Sequence, residues 1–526
     1  MDEKPAIGRN PAHPLRRWSI VSTERIRGGI AGVVSAGVAL GVGELIAGLV
    51  DGAPSPVAAV GAQIVDRSPP ALEDFAIAIF GTADKLALAI GIVVVSLIIG
   101  WFVGTGTRSR PWVGAAAFVA FGLFGVLSGV GEPFAEPPLV VASLLVAAGA
   151  GVGSLYGLLA AAQAEEEPTD GLPEDAGRRR FMTLAAAGGT MAVVAGGIGR
   201  MLVTRIPDAP LQTLETADVT VPTAGPQHSL DVEGISEAVT PNETFYRIDT
   251  ALVVPRVDQR TWAMRIHGMV DREVEVSYDD LVGMELVEEY VTLACVSNQV
   301  GGDLIGNAKW TGVRLTELLD RAGVQAGASQ IVGRSVDDWT AGFPTELAFD
   351  GREPLVAVGM NDEPLPLTHG FPARIIVPGL YGYVSATKWL SDIELTTWDD
   401  FDAYWVPRGW AKEGPIKMHS RIDVPRPRVR VPAGAVDVAG VAWAPLDGVE
   451  SVEIRVDEGD WMPAELATPL SSKSWVQWRA RPQLEAGQRA LEVRVIDGTG
   501  AIQTEEMRPP RPDGATGYHR VVVTVS

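Results

Sequence analysis

Cys295 is the only thiol in 526 residues. It ends an apolar run, Thr292-Leu293-Ala294, and stands directly before a polar stretch that passes through Ser297 and Asn298 to Gly301 and Gly302. A side chain leaving the end of a strand is held rigidly and still faces a cleft, which is where a ligand is useful. A thiolate is a soft, strongly donating ligand for a transition metal. With no second cysteine and no close histidine pair, no zinc or iron–sulfur site can be built around it, so a bound metal would take its other ligands from a cofactor. Free cysteine is also among the most buried residue types, and by composition alone a small core hydrophobe is the more ordinary explanation of Cys295.

Several separated motifs shift that balance. Asn242-Glu243-Thr244-Phe245-Tyr246-Arg247 precedes the thiol, Cys295 and Asn298 form a Cys-x-x-Asn spacing, and Asn307-Ala308-Lys309-Trp310-Thr311-Gly312-Val313 follows it. Further on come Asn361-Asp362-Glu363-Pro364-Leu365-Pro366, His369-Gly370-Phe371-Pro372-Ala373-Arg374 and Lys388-Trp389-Leu390. In this order the motifs resemble the sulfite oxidase family of molybdopterin enzymes, over roughly 240–526. The resemblance implies a molybdenum–molybdopterin cofactor with Cys295 as the protein's metal ligand, in a loop it shares with Asn298. It implies that His369, Arg374 and Lys388 bind the pterin and its phosphate, and that Asn242, Tyr246 and Asn298 touch the cofactor. A buried phosphate needs cationic donors, arginine as a planar fork and lysine as a point charge.

The implied reaction is oxygen-atom transfer coupled to two electrons, on a small oxyanion or a sulfoxide-type substrate, with the cofactor carrying the hard chemistry. Arg247, in the position of the family's anion-contacting arginine, is expected to hold a substrate oxygen. Two departures bear on the substrate: Gln299 replaces a basic residue after Cys-x-x-Asn, and Ile248-Asp249 replaces an Asn-His pair. The pocket is therefore expected to be less cationic than a dedicated sulfite site, and both sulfite oxidation and sulfoxide reduction stay open. Tyr404 and Arg408, in Tyr404-Trp405-Val406-Pro407-Arg408-Gly409-Trp410, are candidates to replace the missing groups, with Tyr404 in a catalytic role. The chain has no Cys-x-x-Cys-His haem motif and no cluster-forming cysteines, so a separate electron-transfer partner, cytochrome or quinone-linked, is implied. The competing class is a non-enzymatic, membrane-anchored binding protein on a degenerate version of the same scaffold.

The elements that would position these residues follow from periodicity. Trp262–Val270, Glu288–Ala294, Arg374–Val377 and Trp389–Leu395 read as strands, and Leu315–Ala322 as a short amphipathic helix stopped by Gly323. Beyond 421, alternating strands at Val436–Trp443, Val449–Val456, Trp475–Arg479, Leu491–Ile496 and His519–Val525, with turns such as Asp497-Gly498, predict an immunoglobulin-like sandwich. This part resembles the family's dimerisation domain, which implies a homodimer.

The other half of the reading is a membrane region. Hydrophobic residues make up 47% of the chain and are concentrated before residue 204. Gly28–Val50, Leu86–Val103, Trp112–Val130, Leu139–Ala162 and Phe181–Val203 are each long enough to cross a bilayer as a helix. Gly32, Ser35, Gly37, Gly149, Gly151 and Gly153 offer small residues for close packing. Arg16, Arg17, Arg25, Arg27, Arg108, Arg110 and Arg178 to Arg180 fall on one side of the five spans, and Asp51, Asp66, Glu73, Glu132 and Glu136 on the other. The N-terminus is thus expected in the cytoplasm and everything after Val203 outside. Arg178-Arg179-Arg180-Phe181-Met182 also resembles a twin-arginine export signal, although positive-inside charge accounts for the same residues. Glu44 lies inside the first span, close enough to its outer end to reach interfacial water. None of the six histidines is in a span, which excludes a bis-histidine haem within this chain's membrane region.

The expected architecture is multi-domain: all-α membrane helices over 1–203, a linker over 204–240, an α+β sulfite-oxidase-like molybdopterin domain over 241–420, and an all-β immunoglobulin-like sandwich over 421–526. The formal net charge of −22 argues against nucleic acid as a partner. The lone cysteine excludes an intrachain disulfide, so the fold relies on packed cores.

Overall fold

The computed structural model describes residues 14–69, 72, 79–80, 84–132, 135–163, 175–205, 214 and 221–526. Residues 206–213 and 215–220 of the expected linker, together with Glu73, lie outside the described residues, as do the side chains of Arg16 and Arg17. Two compact units emerge, Met1–Arg205 with Ala251–Val253, and Ile206–Thr250 with Val254–Ser526.

The first unit is helical. Its described helices are α1 (Pro14–Leu49), α2 (Pro56–Arg67), α3 (Asp84–Ser109), α4 (Trp112–Gly129), α5 (Pro137–Gln163) and α6 (Asp175–Thr204). All but α2 contain a stretch long and apolar enough to cross a membrane, at the five positions the sequence indicates. α1 is the hub and packs against α3, α5 and α6. Close approach depends on Gly32, where a Cβ would collide with the backbone of Gly100 on α3. Gly151 is packed on Phe118, whereas Gly149 and Gly153 have open space where a Cβ would be.

The helix α2 was not expected. At 12 residues it is too short to span, and its role is seen in its contacts: Glu44 Oε1 accepts from Ser55 Oγ at 2.6 Å and from Val57 N at 3.1 Å. Glu44 is 5% exposed, so its carboxylate holds the start of α2 inside the helical unit.

The second unit begins with two sheets around one core. The first sheet has the order β2-β1-β10-β5-β6, with β1 (Ala263–Gly268), β2 (Val274–Ser277), β5 (Gln330–Ser335), β6 (Thr340–Pro344) and β10 (Leu390–Thr396). The second runs β3-β4-β7-β8, with β9 also on β7, and is built from β3 (Val287–Ala294), β4 (Ile305–Arg314), β7 (Leu355–Met360), β8 (Glu363–Pro364) and β9 (Arg374–Ile376). Met264, Ile266, Val291, Leu293, Trp310, Phe343 and Trp389 fill the space between them. Every residue of β7 is buried, so its sequence is a continuous apolar run without the alternation of a half-exposed strand. Helix α7 (Tyr278–Val282) caps this layer, and α8 (Leu315–Ala322) buries Leu315, Leu318, Leu319 and Ala322 on one face before Gly323 ends it at φ 74°.

The C-terminal part is a pair of sheets sharing a second core. His419–Val424, Val438–Trp443, Val476–Ala480 and Glu465–Leu466 form one sheet. Arg430–Val431, His519–Val525, Gly487–Asp497, Val449–Val456 and Met462–Pro463 form the other. Val438, Trp478, Val452, Leu491, Val493 and Val521 meet between them with almost no exposure.

Candidate active site

The thiol sits where a hairpin opens. β3 and β4 pair antiparallel up to Ala294 opposite Ile305, and Cys295 is the next residue. Cys295 N donates to Leu304 O at 2.9 Å, closing the neck of the loop 295–304. Inside the neck, Asn298 N donates to Cys295 O at 3.0 Å, and Asn298 Oδ1 accepts from Leu304 N at 3.0 Å. The Asn298 carboxamide oxygen is therefore engaged in shaping the loop. Cys295 is 9% exposed, and its sulfur lies 2.9 Å from Ser297 Oγ. Burial pushes the thiol pKa up, and the hydrogen bonds from Ser297 oppose that rise.

Across from the thiol lies a group of buried cations. Arg374, the first residue of β9, is 6% exposed. Its Nη1 donates to His369 O at 3.0 Å, and its guanidinium carbon lies 4.9 Å from the Trp310 ring centroid. Its Nε is buried with no hydrogen-bond partner. Burial lowers its pKa to about 10, which leaves it charged at neutral pH. Among the described residues no carboxylate forms an ion pair with it, although Arg247, Lys388 and Lys309 all have one. A buried cation without a counter-ion is costly, by several kcal/mol in order of magnitude, unless a ligand supplies the anion.

Tyr246 links the two sides. Burial drives its phenol pKa far above the ordinary value, Cys295 adds to the rise and Arg374 opposes it, so the ring lies within electrostatic reach of both. Tyr381, which no sequence motif marked, shares the site: burial raises its pKa to about 12, with Cys295 contributing. His369 Nε2 lies 2.8 Å from Asn242 O, and burial, with Arg374, Lys388 and Arg247 nearby, lowers its pKa to about 4. It is neutral at physiological pH, and Nε2, facing a carbonyl, carries the proton.

Lys388 and Arg247 meet at one acid. Lys388 Nζ and Arg247 Nε each donate to Asp249 Oδ2 at 2.8 Å, and the Asp249 side chain is only 4% exposed. Asp249 was visible in the sequence as a departure from the family pattern, but its partner is 139 positions away.

Two sequence candidates have other engagements. Asn242 is built into a network, its amide donating to Met360 O and Glu363 Oε2 at 3.2 Å and its oxygen accepting from Asn361 Nδ2 at 2.9 Å. Tyr404 is placed by Arg408, whose guanidinium lies 3.7 Å from its ring centroid, and by Thr340 Oγ1, which accepts from its backbone N at 3.0 Å. The structure thus gathers Cys295, Tyr246, His369, Arg374, Lys388 and Arg247 into one electrostatic neighbourhood.

Comparison with known proteins decides the family. Residues 251–405 match the family described as an oxidoreductase molybdopterin binding domain. An uncharacterized oxidoreductase, YuiH of Bacillus subtilis, is 30% identical over 183 residues, which cover 34% of this chain and 89% of that protein. Mitochondrial sulfite oxidases of mouse and human are each 28% identical, over 354 and 340 residues. The chain belongs to the sulfite oxidase family of molybdopterin-dependent oxidoreductases. The alignment with the mouse enzyme covers 57% of this chain and 64% of that protein, and the human one 55% and 62%, so the chain spans somewhat under two thirds of these relatives. Among solved structures, the sulfane dehydrogenase SoxCD of Paracoccus pantotrophus aligns with a TM-score of 0.48 at 20% identity, covering 59% of this chain and 90% of that one.

The cofactor of this family is molybdopterin carrying molybdenum, and the residues present fit it. Arg374 has a buried nitrogen with no hydrogen-bond partner, and among the described residues no carboxylate pairs with its charge. Cys295 offers one soft ligand, and among the described residues no cluster of histidine, cysteine or acid competes as a metal site.

Proposed function

We propose that this chain is a membrane-anchored molybdenum oxidoreductase that carries out two-electron oxygen-atom transfer on a small oxyanion or sulfoxide, at an extracytoplasmic site. The observation that carries this reading is the enclosed Cys295 thiol at the mouth of the β3–β4 hairpin, in one domain with a buried Arg374 whose Nε has no hydrogen-bond partner and which pairs with no carboxylate among the described residues.

When bound, the molybdenum pterin supplies the two-electron oxygen-atom exchange. The chain's own residues do the rest. Cys295 holds the metal, with Ser297 Oγ as a hydrogen-bond partner of its sulfur and Asn298 shaping the loop. Arg374 and Lys388 neutralise the pterin phosphate, and neutral His369 spends its Nε2 proton on Asn242 O, leaving Nδ1 as an acceptor for the pterin. Asn242 sets the backbone carbonyl that orients His369, so its contribution to the cofactor is through that ring. Tyr246 stays protonated across the working pH range and serves as a donor. Arg247, about a third exposed, is the group to hold a substrate oxygen, and Tyr404, with the Arg408 guanidinium over its ring, would replace the groups missing from the family pattern, Tyr404 in a catalytic role.

The five apolar helices support a membrane anchor, and the arginines at their ends support an outside location for the residues after Val203. In this reading, helices occupy 1–203, a linker 204–240, the molybdopterin domain 241–420 and an immunoglobulin-like dimerisation domain 421–526, with the two-sheet core around Trp478 supporting the last. Arg178 to Met182 would act as an export signal for a protein that crosses already folded around its cofactor. Electrons pass to or from a separate partner, cytochrome or quinone-linked. Metal and pterin analysis, followed by turnover of sulfite and of sulfoxides with an artificial electron carrier, tests the reading. A binding protein on the same scaffold would contain no molybdenum and turn over neither.

A further inference from the structure

The strand that delivers Cys295 is the edge strand of its sheet, and the C-terminal sandwich covers that edge. Thr292 N donates to Lys473 O at 3.0 Å, Trp475 N donates to Thr292 Oγ1 at 2.7 Å, and Ser471 Oγ donates to Tyr290 O at 2.7 Å. The sandwich also grips the loop that follows. Arg421, on the strand His419–Val424, is 8% exposed and spreads its fork over three partners: Nε to Asp423 Oδ1 at 2.7 Å, Nη2 to Ser236 Oγ at 2.7 Å, and Nη1 to Gly302 O at 2.8 Å. Asp423 balances the charge, so the bond to Gly302 O is left as a pure anchor. His519 accepts from Ile422 N through Nδ1 at 2.9 Å, which fixes its ring. The other edge of that ring lies against Gly301, which sits at φ 77°, and a Cβ on Gly301 would collide with His519 Nε2.

We infer that Arg421 and His519 are positioning residues for the metal thiolate, fixing the far side of the loop 295–304 so that the sulfur of Cys295 is presented in one orientation. The near side is already closed by the bond from Cys295 N to Leu304 O. With neck and tip both held, the loop cannot turn its sulfur without breaking a buried charge-assisted bond or moving a ring. Groups outside the ligand sphere that orient a metal ligand typically matter 10- to 100-fold in affinity or activity, roughly. The C-terminal sandwich is on this account part of the catalytic apparatus, whatever it does between subunits.

This rests on the molybdenum reading, and the experiment separates the two. The full chain and its Arg421→Lys and Gly301→Ala variants are purified, and molybdenum content, melting temperature, the Mo(V) electron paramagnetic resonance spectrum, kcat and KM are measured on each. Lysine keeps a positive charge opposite Asp423 but cannot reach three acceptors at once. The expected result is near-parental metal content in both, a near-parental melting temperature in Arg421→Lys and a lowered one in Gly301→Ala, where φ 77° strains an L side chain, together with a displaced Mo(V) spectrum and kcat lowered about tenfold with KM within about twofold. His519→Ala should itself lower kcat, and Gly301→Ala/His519→Ala should lose less than the sum of the two single losses, because the two sites couple by contact. Parental spectra and kcat in both single variants would overturn the inference, and so would loss of metal together with a lowered melting temperature, which would make these ordinary folding residues. A parent protein without molybdenum would instead remove the functional reading itself.

Discussion

Lys388 Nζ donates to Asp249 Oδ2 at 2.8 Å, and the same oxygen accepts from Arg247 Nε at 2.8 Å. One buried carboxylate thus offsets two of the three cations that the family resemblance assigns to cofactor and substrate. Asp249→Asn removes that offset. It is expected to lower KM for sulfite about tenfold, the effect of roughly 1.4 kcal/mol from one unopposed charge, while KM for a neutral sulfoxide stays within about twofold. Steady-state kinetics on both substrates checks this, and equal changes for the two would contradict it.

The same pair gives a pH dependence. Burial is the main cause that holds Lys388 down to about 8 from 10.5, with Asp249 pulling the other way. Between about 8 and 10.5 the unfolded chain keeps a proton that the folded one has released, so stability of the cofactor-free protein rises with pH in that window. Charge on Lys388 is complete only well below pH 8, so affinity for anions should fall as pH passes through that value. Denaturant unfolding of parent and Lys388→Met between pH 7 and 10.5 measures the difference in slope; identical slopes would rule the shift out.

Arg374 is buried without an anionic partner among the described residues, and its removal should separate folding from cofactor binding. In Arg374→Met the cofactor-free protein is expected to be as stable as the parent or more so, because a desolvated charge is gone. Pterin content should fall at least about tenfold. Melting temperatures of cofactor-free samples and pterin released on denaturation test the two halves. A less stable variant that still carries pterin would reverse the assignment.

Glu44 makes a structural prediction for the helical unit. Glu44→Ala leaves the start of α2 without its acceptor for Ser55 Oγ and Val57 N, at an expected cost of about 1–2 kcal/mol. Chemical denaturation in detergent would show it as a lowered midpoint, whereas an unchanged midpoint would mean that α2 is held by its apolar face alone.

The parts of this account that were legible in the sequence are those set by local pattern. Leu315–Ala322 reads as a helix because its leucines fall on one face and Gly323 follows, and those are its bounds in the structure. Cys295, Arg374 and His369 stand out because of residue type and motif order. What stayed hidden depends on distant contacts. A 12-residue α2 with no spanning length gives no membrane signal, and its purpose appears only with Glu44 against its first turn. β7 lacks alternation because both faces are buried. The amide of Asn242 looks available in sequence, yet Met360, Glu363 and Asn361 occupy it. Tyr381 lies in no motif and joins the site only through the folding of Gly379–Ser385, where Gly382 packs near Ala294 O and the Tyr246 hydroxyl.

Molybdenum and pterin content of the full chain, in parent and in Cys295→Ser, bears most directly on the central claim. The account predicts about one molybdenum and one pterin per chain in the parent, and molybdenum lowered at least about tenfold in the variant because the only thiolate is lost. A correctly folded parent with neither, or a serine variant that retains its metal in full, would contradict it.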